Sequence, residues 1–327
     1  MCHPRLVVRL ALSALWMVSG SLCPQAAESP KKPSHHIGRD LPDYVTGDEC
    51  LFCHRNVVGP SWNLNAHQRT LQPRVMTPDI NRAIESTPEL DPYAKQIQFV
   101  LGYQTQIRLL RKAPAYGQLE LLTGSFEPDP DSESTPFRFH ASQPIGWKPG
   151  TFSQRCAGCH TTAVDSRTQA FAATAIDCYA CHGSVDLAHT NDPSLVYLAK
   201  KRNDPPVLIA ATCGQCHVRT GTSKASGLPY ANNHVVGDDL FADFAVDWSP
   251  AALGSTPPRE RHILENIRAV REGDEETTCL SCHNIHRASG RRHRSVASSA
   301  YCHICHHPED MTLTYDRRVK HHPLCGY

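Results

Sequence analysis

Six times in 327 residues the chain reads Cys-x-x-Cys-His. The copies are CLFCH (Cys50, Cys53, His54), CAGCH (Cys156, Cys159, His160), CYACH (Cys178, Cys181, His182), CGQCH (Cys213, Cys216, His217), CLSCH (Cys279, Cys282, His283) and CHICH (Cys302, Cys305, His306). They hold twelve of the 15 cysteines, leaving Cys2, Cys23 and Cys325. A cysteine pair at this spacing suits a zinc ribbon or a redox dithiol, but neither chemistry requires histidine as the very next residue. Disulfide frameworks belong to short secreted chains without a sufficient core. With 20 histidines in 327 residues, six such histidines in six pairs has a chance probability below roughly 10^-7, and the spacing is that of c-type haem attachment. Each thiol adds to one vinyl group of a flat porphyrin, and the histidine is carried beneath the ring, where its imidazole can bind iron. The expectation is six covalently bound haem c groups with His54, His160, His182, His217, His283 and His306 as proximal ligands.

What fills the other iron face separates electron carriers from enzymes. Only Met76 and Met311 are available outside the first 27 residues, whereas 14 histidines lie outside the proximal positions. Bis-His haems of low potential are therefore expected. The leading distal candidates are His189, His286 and His67, the last behind Trp62, followed by His140, His262, His293 and the pair His321 and His322. On a helix His283 and His286 share a face, so His286, if a ligand, belongs to a different haem from His283.

The elements that hold these residues are expected to be short. Six motifs leave roughly 50 residues per haem, so the macrocycles must supply much of the apolar core. The fold expected is mostly α with extensive coil, organised around stacked haems. Between motifs one and two, KQIQFVLGYQTQIRLL (95–110), GQLELLTGSF (117–126) and TPFRFH (135–140) alternate apolar and polar residues between Gly and Pro, which predicts a small antiparallel β insertion over about 95–140. HILENIRAVREG (262–273) carries Ile263, Ile267 and Val270 at helical spacing and ends at glycine, which predicts a helix leading into motif five.

Arg5 and Arg9 precede the apolar run LALSALWMVSGSL, and Ala26 and Ala27 follow it, so residues 1–27 read as a cleaved signal peptide. The Pro- and Lys-rich stretch 28–47 reads as a linker, and 48–327 as a single domain with haem one at 50–54, haems two to four at 156–217 and haems five and six at 279–306. Export to the periplasm or beyond agrees with the chemistry of thioether formation, which needs reduced thiols outside the cytoplasmic membrane. Lys and Arg number 33 against 32 Asp and Glu, a balance that points away from nucleic acid. With two propionates per haem the holoprotein would carry about twelve further negative charges. The densest basic run, RRHR at 291–294, is explained by a solvated face or a propionate clamp.

The stretches GDECLFCHRNVVGPSWNLNAH, CAGCHTTAVD, DCYACHGSVDLAH, CGQCHVRTG and TTCLSCHNIHRASGRRHR resemble the bacterial multihaem cytochromes related to hydroxylamine oxidoreductase and the tetrahaem cytochrome that serves it. The resemblance spans nearly all of 47–327 and is loose in the strand-rich insertion. It implies closely stacked haem pairs and bis-His ligation, with His189 and His286 at positions that often serve as distal ligands. The pentahaem nitrite reductases of that family carry a C-x-x-C-K motif, which this sequence lacks.

Two functions follow as expectations. One is an exported hexahaem relay between redox proteins in the periplasm, with a membrane-bound quinol or an outer-surface acceptor as further partners. The other is an oxidoreductase with one open-coordination haem acting on a small nitrogen or sulfur oxyanion. No catalytic residue is assigned in either.

Overall fold

The alternating segment after motif one folds as an antiparallel sheet wider than its periodicity indicates. The computed structural model describes residues 44–103, 105–131, 136–165, 167–231 and 234–287. Strands β1 (Leu71–Pro73), β2 (Phe99–Leu101), β3 (Arg108–Lys112) and β4 (Leu119–Leu122) pair in sequence order. A ribbon of β5 (Ser125–Pro128) and β6 (Phe137–His140) follows, and β7 (Trp147–Lys148) returns to the main sheet beside β4. The register sets Val100 opposite Leu109 and Leu110 opposite Leu121. The tight turn from β2 to β3 needs glycine at 102, where φ is +81° and a Cβ would stand 2.4 Å from the Gln106 carbonyl oxygen.

The sheet is covered on both faces. Ile97, Val100, Ile107, Leu109, Leu122 and Phe126 pack with Ile80, Ala83 and Ile84 of helix α3 (Pro78–Glu85). That helix starts on Pro78 and buries an i, i+3, i+4 stripe, as an amphipathic surface helix does. The opposite face, with Leu71, Leu101, Leu110, Leu119 and Leu121, packs with Phe152, Ala157 and Val164. Phe152 lies in α4 (Thr151–Arg155) and Ala157 opens α5 (Ala157–His160), so the sheet forms the floor under motif two. The chain leaves His160 into the hairpin of β8 (Thr161–Val164) and β9 (Phe171–Thr174).

A third apolar cluster supports motifs four and five. Ala210 and Ala211 of α7 (Pro206–His217) meet Leu264, Ile267 and Val270 of α10 (Pro258–Glu272). Between these helices lie the paired strands β10 (Gly221–Ser223) and β11 (Phe244–Val246) and the short helices α8 (Leu240–Asp243) and α9 (Pro250–Ser255). The helix read at 262–273 begins four residues earlier on Pro258, a favoured first helical position, and stops at Gly273, whose φ is +83°.

Attachment motifs one, three and five ride on helices of one or two turns: α1 (Gly47–His54), α6 (Tyr179–His182) and α11 (Cys279–Cys282). A further short helix, α2 (Gly59–Trp62), follows motif one. Helices and antiparallel sheets therefore share the described residues. This is more β structure than a mostly α fold implies, because two- to five-residue strands fill the intervals between motifs. The signal peptide and linker readings over 1–43, motif six and Cys325 lie outside the described residues.

Candidate haem and imidazole sites

Five of the six attachment motifs are described, and side-chain contacts join them to one another. The Cys50 and Cys178 thiols are hydrogen-bonded, which draws Cys50 down to about 7 and raises Cys178. The same contact couples Cys159 to Cys216 and Cys213 to Cys279. Cys159 Sγ lies 3.7 Å from the Cys216 carbonyl oxygen, and Cys216 Sγ lies 3.7 Å from that of Gly158. Motif one thus abuts motif three, motif two abuts motif four, and motif four abuts motif five. Motif two also relies on glycine at 158, where a Cβ would stand 1.9 Å from the ring of buried Tyr230. Burial, with the Asp177 charge adding to it, lifts the Cys181 thiol to about 11. Among the described residues, Cys50, Cys53, Cys156, Cys159, Cys178, Cys181, Cys213, Cys216 and Cys279 are all free of disulfides.

Asp177, immediately before motif three, locks motifs one and three together. Its carboxylate accepts from the Tyr44 hydroxyl, from the backbone N–H of Gly47 at 3.4 Å and from that of Tyr179 at 3.0 Å. Burial raises its pKa, and these donors pull it back down. Because the folded value is raised, ionised Asp177 costs stability, and that cost disappears as pH falls through the folded pKa. Tyr44→Phe removes a donor to this 8 %-exposed carboxylate and is expected to destabilise the fold by about 1–3 kcal/mol at pH 7. The loss should shrink in thermal melts at lower pH as Asp177 protonates. A loss that stays equal from pH 7 down to about pH 3, below the ordinary carboxylate range, would rule this account out.

The histidines converge in pairs. The His54 ring lies 6.2 Å from that of His189, the His217 ring 6.2 Å from that of His67, and the His182 ring 5.9 Å from that of His286. Each pair joins a motif histidine to a histidine outside the motifs. The order is not that of the chain: motif three faces a histidine just beyond motif five, and motif four faces one just beyond motif one.

In each pair one Nδ1 atom is held by oxygen. His182 Nδ1 is 2.6 Å from the Tyr197 carbonyl, His189 Nδ1 is 2.5 Å from that of Asp186, and His67 Nδ1 is 3.0 Å from Asn65 Oδ1. These oxygens are acceptors, so each Nδ1 carries the proton and Nε2 keeps its lone pair. His160 Nδ1 meets the Thr70 hydroxyl. Tyr197 is itself braced, since Arg202 stacks 4.0 Å over its ring and Asp204 accepts from Arg202 Nε at 2.6 Å and from Leu198 N at 2.7 Å. Burial lowers the pKa of His67, of His182 and of His160, the last to about 4. Desolvation and the neighbouring His182 and His54 rings lower that of His286. These four rings are thus kept neutral, the form in which imidazole binds metal.

Other candidates stand elsewhere. His140 ends β6, half exposed, with Nε2 3.7 Å from Glu127 Oε2. Met76 is 64 % exposed on a 3-10 turn. His262 lies in α10, and His283 follows α11 on the exposed surface. His293, His321, His322, Cys302, Cys305 and His306 lie outside the described residues. Sequence reasoning missed Asp177 and Asn65, both short polar residues placed just before a ligand-type segment. Neither has a sequence signal of its own, because the burial of an Asx side chain is a fact about tertiary structure.

The central motifs carry the decisive comparison. Residues 151–228 match the family model described as cytochrome c3. This segment is cytochrome c3-like. It holds motifs two, three and four. Two solved structures are similar to it. An outer cell wall cytochrome, OcwA, shares 20% identity at a TM-score of 0.43, over 62% of this chain and 44% of that one. An undecahaem cytochrome from the S-layer of Carboxydothermus ferrireducens shares 19% identity at a TM-score of 0.45, over 82% of this chain and 44% of that one. This chain thus spans under half the length of either structure. No curated protein matches it.

The donor set suits the group. Two imidazoles bound to opposite faces of one iron stand about 6 Å apart between ring centroids, because each adds a metal–nitrogen bond of about 2 Å and a ring radius of about 1.1 Å. The three observed pairs have this separation. Large apolar side chains also stand exposed beside them, with Phe52 and Val57 each 81 % and Leu187 79 % exposed next to motif one and His189. An apolar macrocycle is what such side chains would cover.

Proposed function

We propose that this chain is an exported hexahaem c-type cytochrome that relays single electrons between redox partners through bis-His sites. The observation that carries this reading is the set of three imidazole pairs at 5.9–6.2 Å. His54 with His189, His217 with His67 and His182 with His286 would each hold one haem iron, with thioether bonds from Cys50 and Cys53, from Cys213 and Cys216, and from Cys178 and Cys181. His160 with Cys156 and Cys159, His283 with Cys279 and Cys282, and His306 with Cys302 and Cys305 would hold the other three. His140, His293 and His322 remain distal candidates for these. When bound, a bis-His haem supplies one-electron exchange between ferric and ferrous iron.

The protein's own part is placement. Nδ1 anchors fix the tautomer and orientation of the His67, His182 and His189 rings, and the hydrogen-bonded oxygens raise the basicity of these ligands. The added basicity favours the ferric state and low potentials. The thiol contacts between motifs put the attachment points of neighbouring groups side by side, which suits transfer from site to site. The partners proposed are redox proteins of the periplasm or the outer surface, or a membrane-bound quinol system. Among the described residues no helix is long and apolar enough to cross a membrane. The relationship to the hydroxylamine oxidoreductase group belongs to the same proposal and rests on the motif spacings quoted above.

Intact mass of the exported protein tests the count, and low-temperature EPR of the oxidised protein tests the ligands. The mass should exceed that of the processed polypeptide by six haems, and the spectrum should be dominated by low-spin ferric signals. Five or fewer haems in fully matured protein would refute the motif count. A high-spin signal worth a full haem would instead favour the oxidoreductase with one open iron.

A further inference from the structure

Asn65 touches two of the imidazole pairs at once. It is 1 % exposed, and every polar atom of its side chain is used. Oδ1 accepts from the His67 backbone N–H at 2.9 Å and faces His67 Nδ1 at 3.0 Å. Nδ2 donates to the carbonyls of Ile285 at 2.5 Å and Arg287 at 2.6 Å, which flank His286. The amide orientation is fixed by these partners, because a flip would set NH2 against N–H and oxygen against two carbonyls. Ser61 adds a bond from its hydroxyl to the His286 carbonyl at 2.6 Å. Trp62, buried at 6 % exposure, lies parallel to the His67 ring at 6.4 Å and edge-on to the His286 ring at 6.3 Å.

We propose that Asn65 is a shared positioning residue for two haem sites, its acceptor end setting the His67 ring against His217 and its donor end holding the 285–287 backbone so that His286 stands against His182. The inference rests on the bis-His reading of those pairs. A single side chain would then couple the sites of motif three and motif four, which come from different parts of the chain. Trp62 fills the space between the two distal rings and keeps their planes apart. An amide is suited to this task, since it offers an acceptor to an imidazole N–H and two donors to a backbone loop.

The test compares Asn65→Leu, Asn65→Asp and His67→Ala in the mature holoprotein by haem count, low-temperature EPR and redox titration. Asn65→Leu keeps the volume and removes both functions, so two of the six haems should change g values and potential while six remain attached. Asn65→Asp keeps the acceptor and the bond to His67 N–H. It should lower the potential of the His217 and His67 site, because a carboxylate makes the imidazole more basic, and it should give a high-spin fraction at the His182 and His286 site, whose loop loses both donors. If Asn65→Leu fails to mature, the Asp variant alone decides. Signals and potentials like those of the unmodified protein, or changes confined to one haem, would overturn the shared role. If His67→Ala yields no high-spin haem, the ligand reading itself fails, whereas a high-spin haem there with silent Asn65 variants removes only the positioning role.

Discussion

Replacing both Cys178 and Cys181 by alanine is expected to remove one haem and, with it, most of the folded protein. Motif three is the junction of the network. Its Cys178 sulfur lies against that of Cys50 in motif one, and its His182 ring faces His286 beyond motif five. Its Ala180 carbonyl accepts from Gln215 Nε2, inside motif four, at 3.0 Å. The three apolar side-chain clusters of the described residues lie elsewhere, around the sheet and between α7 and α10, so none of them is centred on this junction. The yield of exported holoprotein should fall on the order of tenfold or more, since a loss of only about 1–2 kcal/mol already changes abundance several-fold. Yield and haem-to-polypeptide ratio measure it. A normally abundant five-haem variant with an unchanged melting temperature would show that the side-chain clusters alone specify the fold.

Much of this arrangement was legible in the sequence wherever the chemistry is local. Thioether attachment needs two thiols and a histidine within five residues, so the motifs declare themselves without any tertiary information. Strands β3, β4 and β6 were readable because they lie in segments that alternate apolar and polar residues between Gly and Pro, and α10 because Ile263, Ile267 and Val270 recur at helical spacing. The two- and three-residue strands β1 and β7 extend the sheet beyond 95–140, and such lengths carry no period to read. The hairpin of β8 and β9 was hidden because TTAV and FAAT do not alternate cleanly between apolar and polar residues. Which imidazole faces which is a fact about space: His67 and His217 are separated by motifs two and three, and the order of pairs does not follow the chain. Asn65 was invisible because its donors meet carbonyls 220 and 222 residues away.

His286→Ala should convert one haem from low to high spin and raise its potential while leaving six attached. His286 follows His283 by three residues, so the two rings cannot grip one iron from opposite sides on a helix. The structure sets the His286 ring 5.9 Å from His182 of motif three, and its loop is tied to Ser61 and Asn65 after motif one. Losing the imidazole removes a strong donor that favours ferric iron, so the ferrous state gains and the potential rises. The change should fall on the motif three site, not on motif five. Pairing His286→Ala with His182→Ala separates these sites: if both act on one iron, the double variant loses no second low-spin signal. Two low-spin signals lost in the double variant would place His286 on a different haem, and an unchanged ferric spectrum in His286→Ala would strike it from the ligands and leave His293 as the next candidate.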